Sequence, residues 1–368
     1  MAKKHCRGAA AFAFVLSAFS ATYAQAQQST LNIYNWNDYI APETIPDFEK
    51  ATGIKVTYDV YDANETLEAK LSAGGSGYDL VVPTLVPFAA RQIQAGFYQP
   101  LNKAKLPNYG HLDKTLLERM AVYDKDYTYL IPWMTGVVGI AYNVDKVKEI
   151  MPDAPVNSLR MIFDPEIVSK FKDCGVSVID SPTEVFPPAL KMLGLNPDSQ
   201  SIAELQKATD VHFKIRPYIR RYDSSEYINA LANGDICVAW GYSSDIEIAK
   251  HRAMEAGKGV NVAFTIPKEG AQRYIDTMAV PKDAPHPDAA LSFLNFIMQP
   301  EEIAKTSNKI FVQSGNADAR KFVVPDVAND PGIFPSAEVE QSIYSISPST
   351  PEVDRARTRF WTRVKTGH

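Results

Sequence analysis

An aromatic ring beside a carboxylate recurs along this chain. Trp36 and Tyr39 flank Asp38, Tyr242 stands three residues before Asp245, and Tyr274 stands two before Asp276. Thr84 and Glu184 add a hydroxyl and a further acid. Carboxylates gathered in one cleft repel each other and lose hydration, so they are unfavourable there unless a cation enters or some of them hold protons. A short alkyl cation meets that need, because ammonium ends pair with the acids while ring faces cover the methylenes and gain about 0.5 to 2 kcal/mol through cation–π contact. Taken singly, each residue has a plainer reading: the rings as core, the acids as helix caps or solvated charges. Their shared place at the ends of strands is what groups them.

Catalytic patterns are absent. The sequence has no His-Glu-x-x-His, no Gly-x-Ser-x-Gly and no Cys-x-x-Cys, and its six histidines (5, 111, 212, 251, 286 and 368) lack metal-ligand spacing. The stretch Ala73-Gly74-Gly75-Ser76-Gly77 lacks the Lys-Ser/Thr ending of a phosphate loop, and a turn accounts for it. No enzyme, metal or cofactor is expected.

Strand and helix signals alternate from Leu31 onward, the pattern of an α/β sheet with crossover helices. Leu31 to Tyr34 reads as a strand, followed by a helix to about Thr52 stopped by Gly53. Lys55 to Tyr61 is a β-branched strand, Asn64 a helix N-cap with Leu67 and Leu71 turned inward, and Tyr78 to Val82 a third strand. A second set follows Pro132, with strands over Gly139–Asn143, Gly175–Asp180, Asp235–Gly241, Asn261–Pro267 and Tyr274–Pro281. Helices are read over Glu184–Leu193, Ser225–Ala232 and Asp288–Met298. In open α/β sheets ligands bind beyond the carboxyl ends of strands, and that rule selects Trp36, Asp38, Tyr39, Thr84, Glu184, Tyr242 and Asp245, with Tyr274 and Asp276 on a strand bordering the same cleft.

The 368 residues suit two lobes, and 45% hydrophobic with 22% charged residues is a globular composition. The first 26 residues read as a secretory leader: Lys3, Lys4 and Arg7 form a basic head, Gly8 to Ser20 an apolar run too short to span a bilayer, and Ala24-Gln25-Ala26 a small-x-small cleavage site. Its removal takes three positive charges and no acidic ones, moving the formal charge from −5 to −8. That balance disfavours nucleic acid as a partner. Cys6 leaves with the leader. The remaining Cys174 and Cys237, on neighbouring strands in an exported protein, are either a disulfide or two buried thiols.

Several segments resemble the periplasmic putrescine/spermidine-binding proteins. These are Leu31-Asn32-Ile33-Tyr34-Asn35-Trp36-Asn37-Asp38-Tyr39-Ile40, Tyr78 to Pro83, Ala232 to Ala239, Phe264 to Gly270, the Cys174 to Ser177 region and Arg357 to Thr362. The resemblance spans nearly the whole chain after the leader. It implies a two-lobed type II binding fold that closes on a polyamine or related diamine or guanidino cation in the periplasm and delivers it to the permease of an ABC transporter. Oligomeric state does not follow from the sequence, and a monomer is the expectation. The resemblance also implies a Cys174–Cys237 disulfide. Lobe 1 would take residues 27–136, lobe 2 residues 137–257, a return to lobe 1 residues 258–311, and helices packing mainly on lobe 2 the final 312–368. Ligand contacts carry over to Trp36, Asp38, Tyr39, Glu184, Asp245 and Asp276, with rings at Tyr242 and Tyr274 and a hydroxyl at Thr84. The chain departs from the family in the greasier Thr84-Leu85-Val86-Pro87 loop, in Trp133-Met134-Thr135, in Val312 where Tyr is common, and in Trp240, large for its place.

Two other readings share this fold. An amino acid or other zwitterion would need a fixed cation in the cleft. The nearest candidate, Arg273, should point away from the face of Tyr274 and Asp276 by strand alternation. A sensor reporting ligand to a membrane partner would use the same closing clamp.

Overall fold

The computed structural model describes residues 1–2 and 29–367. The leader's apolar run, its cleavage site and Cys6 lie outside the described residues. Among the described residues no helix is long and apolar enough to cross a membrane.

The alternating pattern folds as read. Strand β1 (Thr30–Trp36) turns Leu31 and Ile33 into a core, helix α1 (Thr44–Thr52) ends on Gly53 at φ 73°, and β2 (Lys55–Tyr61) pairs parallel to β1. Glycine adopts that left-handed turn without a Cβ penalty. Helix α2 (Asn64–Ala73) buries Leu67 and Leu71, and β3 (Leu80–Val81) joins β1 from the other side. Ala63, and not Asn64, occupies the N-cap position of α2.

Strand β4 (Leu130–Asn143) is the largest difference from the sequence reading, which began it near Gly139. Its 14 residues are almost wholly buried, so the alternation that marks a half-exposed strand is missing. The strand runs through two sheets. Its first half pairs antiparallel with β9 (Arg273–Ala279), and Val138 to Tyr142 pair antiparallel with β7 (Val238–Tyr242). Beyond β7 come β5 (Val176–Val178) and β6 (Arg221–Tyr222), both parallel, giving the order β2-β1-β3-β9-β4-β7-β5-β6. Strands β8 (Val262–Thr265) and β10 (Gln313–Ser314) flank β4.

Two separate apolar clusters match the two sheets. One gathers Leu31, Phe48, Trp133, Met278 and Phe293, and the other Val138, Phe163, Phe186, Val238, Trp240 and Trp361. Two details differ from the expected division. Strand β8 pairs with β4 at Ile140 to Asn143, so the chain is still in the second sheet at Thr265 rather than returning from 258. In the last segment Val312, Ala319, Val323, Val327 and Ile333 pack on the first cluster, and the final helix, Pro351–Thr366, packs on the second. Short helices there carry apolar side chains on one stripe only, and which lobe covers the stripe is a long-range outcome.

The helices that serve the site, in chain order after α2, are α3 (Pro182–Met192), α4 (Ile202–Ile215), α5 (Glu226–Asn233) and α6 (Ser243–Ala256). Cys174 and Cys237 are joined as a disulfide, with Cα atoms 5.7 Å apart.

Candidate functional site

Asp276 lies in β9 and is 6% exposed. Each of its oxygens takes one hydroxyl from the first lobe: Tyr39 donates to Oδ2 at 2.7 Å and Thr84 to Oδ1 at 2.7 Å. The direction at Thr84 is fixed by Asn64, whose Nδ2 donates to Thr84 Oγ1 at 3.0 Å and whose Oδ1 accepts from the Thr84 amide at 3.1 Å. With its oxygen already accepting, the hydroxyl proton is left for Asp276. Asn64 thus serves the site across 20 residues of sequence.

Glu184, also 6% exposed, leaves the first turn of α3 and accepts on Oε2 from Thr183 at 2.6 Å and from Ser181. Asp245, in the first turn of α6, accepts on Oδ2 from Tyr227 of α5 at 2.8 Å. Burial is the main cause that raises all three acids: Asp276 to about 6, Glu184 to about 7 and Asp245 to about 7, with the Asp276 charge adding to the last. Hydroxyl donors pull the other way and are outweighed. Among the described residues none of the three is held in a salt bridge.

Tyr242 sits where these charges meet. Its phenol is pushed well up, first by burial and then by Glu184, Asp245 and Asp276 together. Its ring meets that of Tyr274 edge-on, 5.5 Å between centroids. Tyr274 crosses the lobes, donating to Ser244 at 3.1 Å, and its phenol is raised by burial and by Asp276 and Asp245. A cavity of about 140 Å³ lies against Thr84, Glu184 and Tyr274 and continues past Leu85, Val86 and Ile346, with Arg119 and Arg273 also in its wall, both paired to Glu340.

Seven of the nine expected residues meet at this centre. Tyr39, Thr84, Glu184, Tyr242, Asp245, Tyr274 and Asp276 converge. Trp36 stands at the margin as the last residue of β1, its Nε1 donating to the Val82 carbonyl at 2.8 Å and its ring 4.6 Å from Tyr61. Asp38 is not brought to the other acids: its side chain is 65% exposed, and it reaches Arg252 of α6 at 3.6 Å. Asp38 has φ 52°, a left-handed turn that carries its side chain away from the strand-end direction assumed from the sequence. Val312 is 1% exposed within the first core.

Tyr61 and Tyr227 were missed by the sequence reading. Tyr61 donates to the Val82 carbonyl alongside Trp36, and its phenol is raised by burial and by Asp276. Tyr227 holds both Asp245 and, at 3.1 Å, the Tyr242 amide. Tyr61 is the last residue of β2 and Tyr227 lies in helix α5, so neither stands in the loop that follows a strand. Arg273 is engaged elsewhere, donating to Glu340 at 2.6 Å and to Thr135 at 3.3 Å, so it offers no free anchor for a carboxylate.

Three consecutive residues of α6 cross to the other lobe. Lys250 reaches Asp330 at 3.1 Å, the His251 ring stacks on Phe311 with centroids 3.8 Å apart, and Arg252 faces Asp38. Acids and rings that converge between two lobes sharing one long strand are the geometry of a ligand clamp.

The sequence profile described as "Bacterial extracellular solute-binding protein" matches residues 43–335. This chain belongs to that family. It is 49% identical over 98% of both chains to the putrescine-binding periplasmic protein SpuD of Pseudomonas aeruginosa. Identity is 48% to the putrescine-binding periplasmic protein PotF of Escherichia coli, over 96% of this chain and 95% of that one. Among solved structures, a Listeria monocytogenes chain provisionally described as a spermidine/putrescine ABC transporter superposes with a TM-score of 0.82 at 28% identity, covering 92% of this chain and all of the other. The relatives are binding proteins, and the solute-binding fold here carries a binding site rather than a catalytic one.

Proposed function

We propose that this solute-binding protein captures a putrescine-like diamine in the cleft between its lobes, in the periplasm, and delivers it to the membrane permease of an ABC importer. One observation carries the reading. Glu184 and Asp276 are buried and Asp245 half-buried beside hydroxyl donors and rings, and all three are raised by desolvation. Such a group is relieved by a dication with an apolar middle: the ammonium ends restore the ionised acids, and Tyr242 and Tyr274 cover the methylenes. The names of the relatives, two of which are called putrescine-binding, agree with that chemistry.

Residues Trp36, Tyr39, Thr84, Glu184, Tyr242, Asp245, Tyr274 and Asp276 form the ligand set, and Asp38 acts at the rim through Arg252. The lobes divide at the crossing of β4 near Val137 and rejoin after Thr265. The acidic balance of the chain disfavours nucleic acid as a partner, and the monomer is taken as the working unit. A thermal-shift panel of diamines, triamines, guanidino compounds, amino acids and inorganic anions tests the ligand class, since stabilisation follows RT ln(1 + [L]/Kd). Putrescine or a close relative should give the largest shift. A panel in which amino acids stabilise and diamines do nothing would overturn the reading.

A further inference from the structure

Helix α3 carries two prolines in its interior, Pro187 and Pro188. In a helix the carbonyl of one residue accepts from the amide four positions on, and proline has no amide hydrogen. Pro188 therefore leaves the Glu184 carbonyl without its helical donor. That carbonyl is not orphaned. Trp240 of β7, 0% exposed, donates its Nε1–H to it at 3.1 Å. One residue further, the Val185 carbonyl receives His212 Nε2 from α4 at 3.0 Å. The rings are themselves packed edge-on against Phe163, with centroid distances of 5.5 Å for Trp240 and 5.7 Å for His212. Two fixed N–H groups thus grip successive carbonyls in the turn of α3 that carries Glu184.

We infer that Trp240 is a positioning residue for the ligand site: by replacing the donor that Pro188 lacks, its indole fixes the backbone of Glu184 and so the place of that carboxylate opposite Tyr242 and Asp245. The inference rests on the proposed function for its ligand but not for its geometry. A buried indole needs an acceptor for its N–H, and a smaller aliphatic side chain at 240 would fill part of the same core without supplying a donor. The size of Trp240 is therefore tied to the two prolines, and the three residues act as one unit.

The test uses the full exported chain and putrescine as probe. Trp240→Phe keeps most of the ring and removes the N–H. It should weaken putrescine binding roughly tenfold in calorimetric titration, the scale expected for one orphaned buried acceptor, and shift the pH midpoint of the Glu184 carboxyl followed by carbon NMR. Pro188→Ala restores a backbone N–H at the required position, so Trp240→Phe combined with Pro188→Ala should recover affinity to within about threefold of the parent. A core-filling role alone would lower the melting temperature without moving the Glu184 midpoint and would not be rescued at position 188. Binding within twofold of the parent together with an unmoved midpoint overturns the inference, as does failure of the rescue. Should Trp240→Phe not fold, the Trp240 indole N–H resonance of the parent decides. It should move when putrescine is added and stay fixed in Glu184→Gln, and an unmoved resonance in the parent overturns the inference. A parent that ignores putrescine sinks the functional reading instead, and the Glu184 midpoint in Trp240→Phe then still judges the positioning role.

Discussion

Acidification should empty the cleft. The diamine keeps both charges throughout the neutral and mildly acidic range, since alkyl ammonium groups titrate near 10, so the response belongs to the protein. In the empty site Glu184 and Asp245 titrate at about 7 and Asp276 at about 6, all raised by burial. Bound ammonium groups favour the ionised acids, so binding near pH 6 must expel protons, and affinity must fall as pH drops through these values. For one acid at about 7 that must be ionised in the complex, going from about pH 7.5 to about pH 5.5 costs about 1.4 decades, or roughly 25-fold. Two such acids, one for each end of a dication, give roughly 600-fold. Titration calorimetry with putrescine across this range measures the slope, and repeating it in buffers of different ionisation enthalpy counts the protons released. The sign for stability is opposite. A raised acid stabilises the empty fold below its unfolded value and loses that contribution as pH rises through the folded value, so thermal protection by putrescine should grow from pH 5 to pH 8. Affinity that stays flat or rises on acidification would falsify the electrostatic account of the site.

Further expectations follow from single contacts. Asp245→Asn leaves one ammonium buried without its partner and should weaken putrescine binding by roughly 2 to 5 kcal/mol; unchanged affinity in a calorimetric titration removes Asp245 from the site. Gly241→Ala places a Cβ 2.5 Å from the Tyr227 ring, whose hydroxyl holds Asp245. It should cost roughly 1 to 3 kcal/mol in denaturant unfolding and also weaken binding, whereas a stable variant with normal affinity would show that Tyr227 yields freely. Arg252→Ala removes an exposed pair with Asp38 worth at most about 1 kcal/mol, so affinity should change less than about fivefold and the difference should vanish in high salt. A larger loss that ignores salt would mean that Arg252 does more than pair with Asp38.

Elements whose faces differ were legible in the sequence. The order β1-α1-β2-α2-β3 and its stop at Gly53 follow from local patterns, because a half-buried strand or helix writes its period into the chain. Strand β4 was read only over its last five residues, Gly139–Asn143, because burial on both faces erases that period. The strand-end rule selected most of the side chains that converge between the lobes, since the carboxyl ends of the strands are where side chains from different crossovers must meet. It missed Tyr227 and misjudged the direction of Asp38, because neither a hydroxyl donor on a neighbouring helix nor a left-handed turn at an aspartate changes the pattern of residue types.

What the sequence alone determined is the inventory: an alternating α/β chain, acids and rings placed after strands, and no catalytic motif. Tertiary structure decided which of these residues share a space. Tyr39 and Asp276 are 237 positions apart and 2.7 Å apart in the fold, and Trp240 reaches a carbonyl 56 positions away that a proline had left open. Burial, and with it the raised acids that make a cation welcome, arises only when two lobes close around the same few side chains. Local sequence fixes backbone preference within a few residues, while desolvation depends on everything that packs around a group.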